Sequence, residues 1–155
     1  MKNKKVKILF IISVLVLILD QITKLLISKF VKNSTKIIPR ILEIEIIQNT
    51  GVAFGINSGN IKNIFITLVV LVLIINFIKK QFELIDKKTM LSLSFMIGGG
   101  VSNLIDRIFK GGVFDFIKIS NFPIFNLADI AIVVGWILLI INIVKFSVGE
   151  NKNKE

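Results

Sequence analysis

The sequence predicts an all-α membrane protein with four transmembrane helices and a small layer of β-strand on the extracytoplasmic surface. Three observations lead to this fold class: 54% of the residues are hydrophobic, the mean hydropathy is +0.81, and lysines flank the longest apolar stretches. Soluble domains are far less apolar. We therefore expect one integral membrane domain over residues 1–155.

Four apolar stretches are each long enough to cross a hydrocarbon core, which takes about 20 helical residues. The first follows four lysines, as in a secretory signal peptide, but it has no small-residue cleavage site and continues into Asp20 and Lys24. We therefore expect it to remain as an uncleaved first span. The predicted spans lie near residues 8–30, 61–78, 90–108 and 127–146.

The lysines around these spans predict the topology. They precede the first span, separate the second from the third and follow the fourth, and lysine-rich segments stay cytoplasmic. Both termini are therefore predicted to be cytoplasmic, with residues 31–60 and 109–126 outside. Because the lysines flank spans and are not interleaved with aromatic residues, the net charge of +10 does not indicate a nucleic-acid partner.

The first outer segment contains a predicted strand. Residues 42–46 alternate between apolar and acidic side chains, which is typical of a half-buried strand. Asn49, Thr50 and Gly51 supply turn-forming residues after it. We expect a small layer of strand and turn on the outer membrane surface.

The chain contains no histidine and no cysteine. This absence excludes disulfides, thiolate nucleophiles, Ser-His-Asp triads and HExxH zinc sites. Any catalysis therefore has to use carboxylates, hydroxyls, lysines or backbone groups.

Four aspartates are predicted to lie at one depth in the membrane. With a helical rise of about 1.5 Å per residue, Asp20 lies roughly 18 Å and Asp106 roughly 24 Å from the inner edge. Asp129 begins the fourth span from the outside, and Asp115 lies in the second outer segment. Ionisable residues at membrane depth indicate function by default.

Two of these aspartates have basic neighbours that favour a structural role. Asp20 and Lys24 are four residues apart, so they can form an intramembrane ion pair, with substrate contact as the alternative. Asp106 and the adjacent Arg107 cannot point at each other directly, but each can reach a neighbouring helix. A site-shaping ion pair there would hold the carboxylate ionised. Glycines 98–100 are predicted to form a close helix-packing stripe.

Asp115 and Asp129 have a different character because both are set among apolar residues. Two carboxylates brought together in such surroundings cannot both ionise cheaply, so they can share one proton. Such a pair can act as general base and general acid on a peptide bond. Asn49, Asn103 and Asn126 are predicted to position the peptide through their uncharged amides.

Five motifs follow one another along the chain: DQITK at Asp20–Lys24, NTGVAFG at Asn49–Gly55, GGGVSNLIDR at Gly98–Arg107, VFDF at Val113–Phe116 and FNLAD at Phe125–Asp129. In this order they resemble the motifs of the lipoprotein signal peptidases (signal peptidase II), and the resemblance extends over nearly the whole chain. One departure is Ser102, where the family commonly has glycine, and it bears on helix packing at that turn.

The resemblance implies an aspartic endopeptidase of the bacterial cytoplasmic membrane, with its active site toward the outer face and no metal or other cofactor. Its partners would be membrane lipid and prolipoproteins, which it would cleave before a diacylglyceryl-modified cysteine. The first outer segment would be the family's β-cradle, and Asp115 and Asp129 the catalytic dyad. Substrate-binding or site-supporting roles would fall to Asp20, Lys24, Asn49, Gly51, Asn103, Asp106, Arg107 and Asn126.

Three alternatives remain open from the sequence. A four-span proton-coupled transporter would carry its acid near the midplane, whereas these acids gather toward one face. An intramembrane protease of the GxGD kind lacks its motif here. A structural subunit would leave Asp115 and Asp129 as loop and helix-cap residues. For an enzyme, Phe54 between Gly51 and Gly55 is a candidate lid.

Overall fold

The computed structural model describes residues 2–51 and 59–152, with side chains from 4 to 51 and from 59 to 145. Four helices and three strands make up this part of the chain. The candidate lid residue Phe54 lies outside the described residues. The elements are α1 (Lys2–Phe30), β1 (Thr35–Ile38), β2 (Leu42–Asn49), α2 (Asn60–Gln81), α3 (Lys87–Lys110), β3 (Val113–Ile119) and α4 (Leu127–Lys152).

The fold is mostly helical with a small sheet, as the sequence predicts. Within the described residues, three helical segments are long and apolar enough to cross a membrane: Lys4–Phe30, Asn60–Gln81 and Leu127–Lys145. Helix α3 is not among them. It differs because polar side chains, including Ser92, Ser94 and Asp106, are buried along its length.

Helix α3 is the centre of the bundle and packs against α1, α2 and α4. Glycine allows two of these contacts, because a Cβ on Gly98 would lie 2.6 Å from the Ser13 carbonyl oxygen of α1. A Cβ on Gly99 would similarly clash with the Ala128 carbonyl oxygen of α4. The predicted glycine packing stripe is confirmed, and it brings the helix backbones close together. Large apolar side chains of α1, α2 and α4 point outward.

The three strands form one antiparallel sheet in the order β1-β2-β3. The predicted strand at 42–46 is confirmed and continues to Asn49. Strand β3 was not predicted, because its residues lack an alternating polar face: Val113, Asp115 and Phe116 are all buried. Pairing of β3 with β2 sets Asp115 opposite Ile47, so the sheet positions a candidate site residue.

Candidate functional site

Strand β3 carries Asp115 into the protein, where its side chain is only 2% exposed. The carboxylate accepts hydrogen bonds from Asn49 Nδ2 at 2.9 Å and from Asn126 Nδ2 at 2.6 Å. The pKa of Asp115 is raised from 3.8 to about 6, and burial is the largest cause. The Asn49 hydrogen bond opposes this rise, and the nearby charge of Asp129 adds to it. Asp115 can therefore exchange a proton near neutral pH.

The first turn of α4 fixes Asp129. The backbone N–H of Asp129 donates to Asn126 Oδ1 at 2.9 Å, and the Asn126 N–H donates back to Asp129 Oδ2 at 3.3 Å. This reciprocal arrangement is a capping box, which satisfies two backbone donors at the helix start. The other carboxylate oxygen of Asp129 accepts from Asn103 Nδ2 at 2.8 Å.

Asparagine amides link the two aspartates into one network. Asn126 Nδ2 donates to Asp115 and also to Asn103 Oδ1 at 3.1 Å, and Asn103 donates to Asp129. Asn49 is itself held by the Gly51 N–H, which donates to its Oδ1 at 2.9 Å. In the structure the amides of these asparagines bind the two carboxylates. Their predicted role in positioning the peptide stays a prediction.

A buried ion cluster lies beside this network. Lys24 Nζ is 2.6 Å from Asp20 Oδ2 and 2.7 Å from Asp106 Oδ2, and all three side chains are at most 1% exposed. The predicted Asp20–Lys24 pair is confirmed. Lys110, four residues after Asp106, adds a second cation at 2.7 Å.

Asp106 and Arg107 do not pair with each other, and Asp106 reaches the neighbouring helix α1, as the sequence predicted. The cations bound to Asp106 are Lys24 and Lys110, because neighbouring helix positions point about 100° apart and only Asp106 faces α1. The spacing of Asp106 and Lys110, four residues apart, was the signal in the sequence that could have identified this partner.

The ion cluster is attached to both α4 and the asparagine network. Asp20 accepts a hydrogen bond from the Ala128 backbone N–H at 2.9 Å, and Lys24 Nζ donates to Asn103 Oδ1 at 3.3 Å. The buried Ser102 hydroxyl donates to Asp20 Oδ2 at 2.7 Å. Ser102, where the sequence left helix packing open, is therefore buried and bonded to Asp20.

Arg107, Asp115 and Asp129 all lie on the lining of one cavity, which is described below. Arg107 Nη1 donates to the Asn103 carbonyl at 3.5 Å, and its buried Nε has no hydrogen-bond partner in the described part of the chain. Arg107 thus brings a cation to the carboxylates without pairing with Asp106.

The cavity has a volume of about 630 Å³. Its lining includes the polar side chains of Asp115, Asp129 and Arg107, and most of the other lining residues are apolar. The sequence did not single out the apolar residues, since a span contains many of the same type. They include Ile47, Val113, Phe122, Ile124, Ile132 and Val133.

The described residues group no three His, Cys, Asp or Glu side chains in an arrangement that could hold a metal ion.

Residues 12–145 match the family model described as Signal peptidase (SPase) II. The lipoprotein signal peptidase of Staphylococcus aureus is 38% identical over 154 residues, which cover 94% of this chain and 92% of that protein.

Two solved structures, both described as bacterial membrane enzymes determined by the in meso method, share the fold. The first has a TM-score of 0.79 and 34% identity, covering 95% of this chain and 91% of the other. The second has a TM-score of 0.75 and 37% identity, covering 88% of this chain and 92% of the other.

Proposed function

The chain belongs to the signal peptidase II family, whose members remove signal peptides from prolipoproteins, and we propose that Asp115 and Asp129 carry out this cleavage. The observation that carries the proposal is the asparagine network that joins the two carboxylates at one cavity. Family membership and the joining of the two carboxylates at one cavity disfavour the transporter alternative.

The two aspartates would share one proton. The ionised carboxylate takes a proton from water, which then attacks the scissile carbonyl carbon, and the protonated partner hydrogen-bonds to the carbonyl oxygen. When the carbon–nitrogen bond breaks, a proton returns to the leaving amine. Arg107 supplies positive charge beside the carboxylates and the developing oxyanion.

The substrate would be a prolipoprotein that carries a diacylglyceryl-modified cysteine. The apolar part of the cavity lining, which includes Ile132 and Val133 of α4, supports this choice because acyl chains and an apolar signal peptide bind apolar surfaces. The polar part would hold the peptide bond itself. We infer that the substrate enters from the surrounding lipid.

We further propose that all four helices cross the membrane as one domain, with both termini cytoplasmic and the sheet outside. Lysines lie at the start of α1, between α2 and α3 and near the end of α4, which supports a cytoplasmic location for those segments. Helix α3 would cross in the middle of the bundle, where its polar residues face other helices instead of lipid.

The test is processing of a lipidated prolipoprotein by the purified protein in the presence of a chelator. Asp115→Asn and Asp129→Asn should each reduce the rate at least 1,000-fold while the protein stays folded. Asp86→Asn is the matched control, because Asp86 caps α3 through Thr89 and asparagine is an equally good helix cap. Near-normal processing by either site variant would overturn the dyad.

The lipid requirement has a separate readout. The same precursor without its diacylglyceryl group should be cleaved at least 100-fold more slowly. Equal rates for the two precursors would refute the substrate class but would leave the dyad standing.

A further inference from the structure

A second cavity lies at the opposite end of the helix bundle from the two aspartates. It has a volume of about 530 Å³ and lies where α2 ends and the chain turns toward α3. Leu9, Ile75 and Ile78 give it an apolar wall, and Lys79 and Lys80 lie on its lining. The asparagine network does not reach this part of the molecule.

The turn beside this cavity is held by a buried lysine. Lys5 is only 7% exposed, and its ammonium donates to the carbonyl oxygens of Phe82 at 3.0 Å and Glu83 at 3.2 Å. It also lies 5.4 Å from the centre of the Phe82 ring. These contacts tie α1 to the turn, so the cavity is formed before any ligand arrives.

Positive charge at this end of the bundle is not neutralised by nearby acids. Among the described side chains, no carboxylate lies within ion-pair distance of Lys5, Lys79 or Lys80. Glu83 also lines the cavity, but it forms no such pair. A buried ammonium without a counter-charge is unfavourable in apolar surroundings, and an anion bound nearby would relieve that cost.

We propose that this cavity binds an anionic phospholipid. Lys79 and Lys80 contact the phosphate, and one acyl chain lies along Leu9 and Ile75. Basic pockets beside apolar helix surfaces at the membrane boundary are suited to this class of lipid. The inference rests on the membrane placement proposed above, but it does not depend on which residues catalyse cleavage.

The experiment uses the full chain in phosphatidylcholine nanodiscs that contain increasing amounts of phosphatidylglycerol. The unfolding temperature should rise with the phosphatidylglycerol content. Native mass spectrometry should show that the protein retains phosphatidylglycerol in preference to phosphatidylcholine. The double variant Lys79→Gln, Lys80→Gln should bind it roughly tenfold to thirtyfold more weakly, as expected for the loss of two surface cations. Ile75→Trp should fill the groove and displace the lipid while keeping both lysines.

The matched control is Lys87→Gln, Lys88→Gln, which removes the same charge from the start of α3 without altering the cavity lining. It should bind phosphatidylglycerol as the parent does. If this control lost as much phosphatidylglycerol binding as the Lys79→Gln, Lys80→Gln variant, the binding would depend on general surface charge and the proposed site would be wrong. An equal thermal shift with inorganic phosphate would also overturn it, because a phospholipid site needs the acyl groove.

Catalysis and lipid binding can be separated with Asp115→Asn. This variant should retain the full response to phosphatidylglycerol. A response that disappears together with the Asp115 carboxylate would show that the lipid acts at the catalytic cavity, and would overturn the second site while leaving the peptidase intact.

Discussion

Asp115 is held in a balance between burial, which favours its neutral form, and donated hydrogen bonds, which favour its ionised form. Its raised pKa of about 6 means that the carboxylate loses its charge as the pH falls through that value. The ionised base is then lost, so the cleavage rate should fall about tenfold per pH unit below the transition. The apparent pKa of this acidic limb of the pH–rate profile belongs to Asp115 and Asp129 together, because the two carboxylates interact.

Asn49→Ala should move this acidic limb to higher pH. Asn49 donates to the ionised form of Asp115, and its removal leaves burial less opposed, so the pKa rises. The measurement is kcat/KM between pH 4 and pH 9. Asn142→Ala, which removes an amide that binds Asp86 and Thr89, is the control and should leave the limb in place. A limb shifted to lower pH in Asn49→Ala would contradict the assignment.

Lys24 is the cation on which the buried ion cluster depends. Lys24→Met should lower the free energy of unfolding by about 3–5 kcal/mol, because it leaves the Asp20 and Asp106 carboxylates buried with less compensation. Lys110→Met also removes a partner of Asp106, but Lys110 is 45% exposed, so the cost should be at most about 1 kcal/mol. Denaturant unfolding in detergent compares the two, and equal costs would count against the cluster as a stabilising element.

The sequence predicted most of the residues around Asp115 and Asp129, but it could not predict all of their partners. Asp20 and Lys24 were paired correctly because both lie on one helix at a fixed spacing. Asp106 reaches a neighbouring helix as predicted, but the sequence could not show that Lys24 of α1 is its partner there. The asparagines were identified, but their contacts with the carboxylates follow from packing of α3, α4 and β3.

At the level of elements, the backbone of α3 approaches α4 through Gly99. Gly99→Ala should cost about 1–3 kcal/mol of stability and should also slow cleavage, because its Cβ would press on Ala128 and Ile132, close to Asp129. Gly100→Ala is the matched control. Its Cβ would meet the flexible end of Leu71 at 3.1 Å, so both effects should be smaller. Thermal unfolding and kcat are the measurements.

The strands show where reasoning from pattern succeeds. Strand β2 was predicted because Glu43 and Glu45 alternate with apolar neighbours. Their charge has a partner in the structure, since Lys118 of β3 is 2.5 Å from Glu45. Strand β3 gave no such pattern, because it is buried on both faces around Asp115. A strand that is buried on both faces has no solvent face to show in its sequence.

At the scale of the whole molecule, the topology is a prediction that labelling can check. The chain contains no cysteine, so a single introduced thiol reacts without background. In intact bacterial cells, Lys36→Cys on β1 should react with an impermeant maleimide, and Lys88→Cys at the start of α3 should react only after the membrane is opened. The unlabelled parent is the control, and the reverse pattern would invert the proposed orientation.

The burial of α3 also has a consequence for synthesis. When α3 leaves the ribosome, α1 is already available to supply Lys24 for Asp106, but the helix that covers its other side has not yet been made. That helix, α4, also brings Asn126 and Asp129. In the proposed mechanism, closing the bundle therefore also completes the pair of Asp115 and Asp129. We expect a nascent chain to be proteolytically inactive until α4 docks.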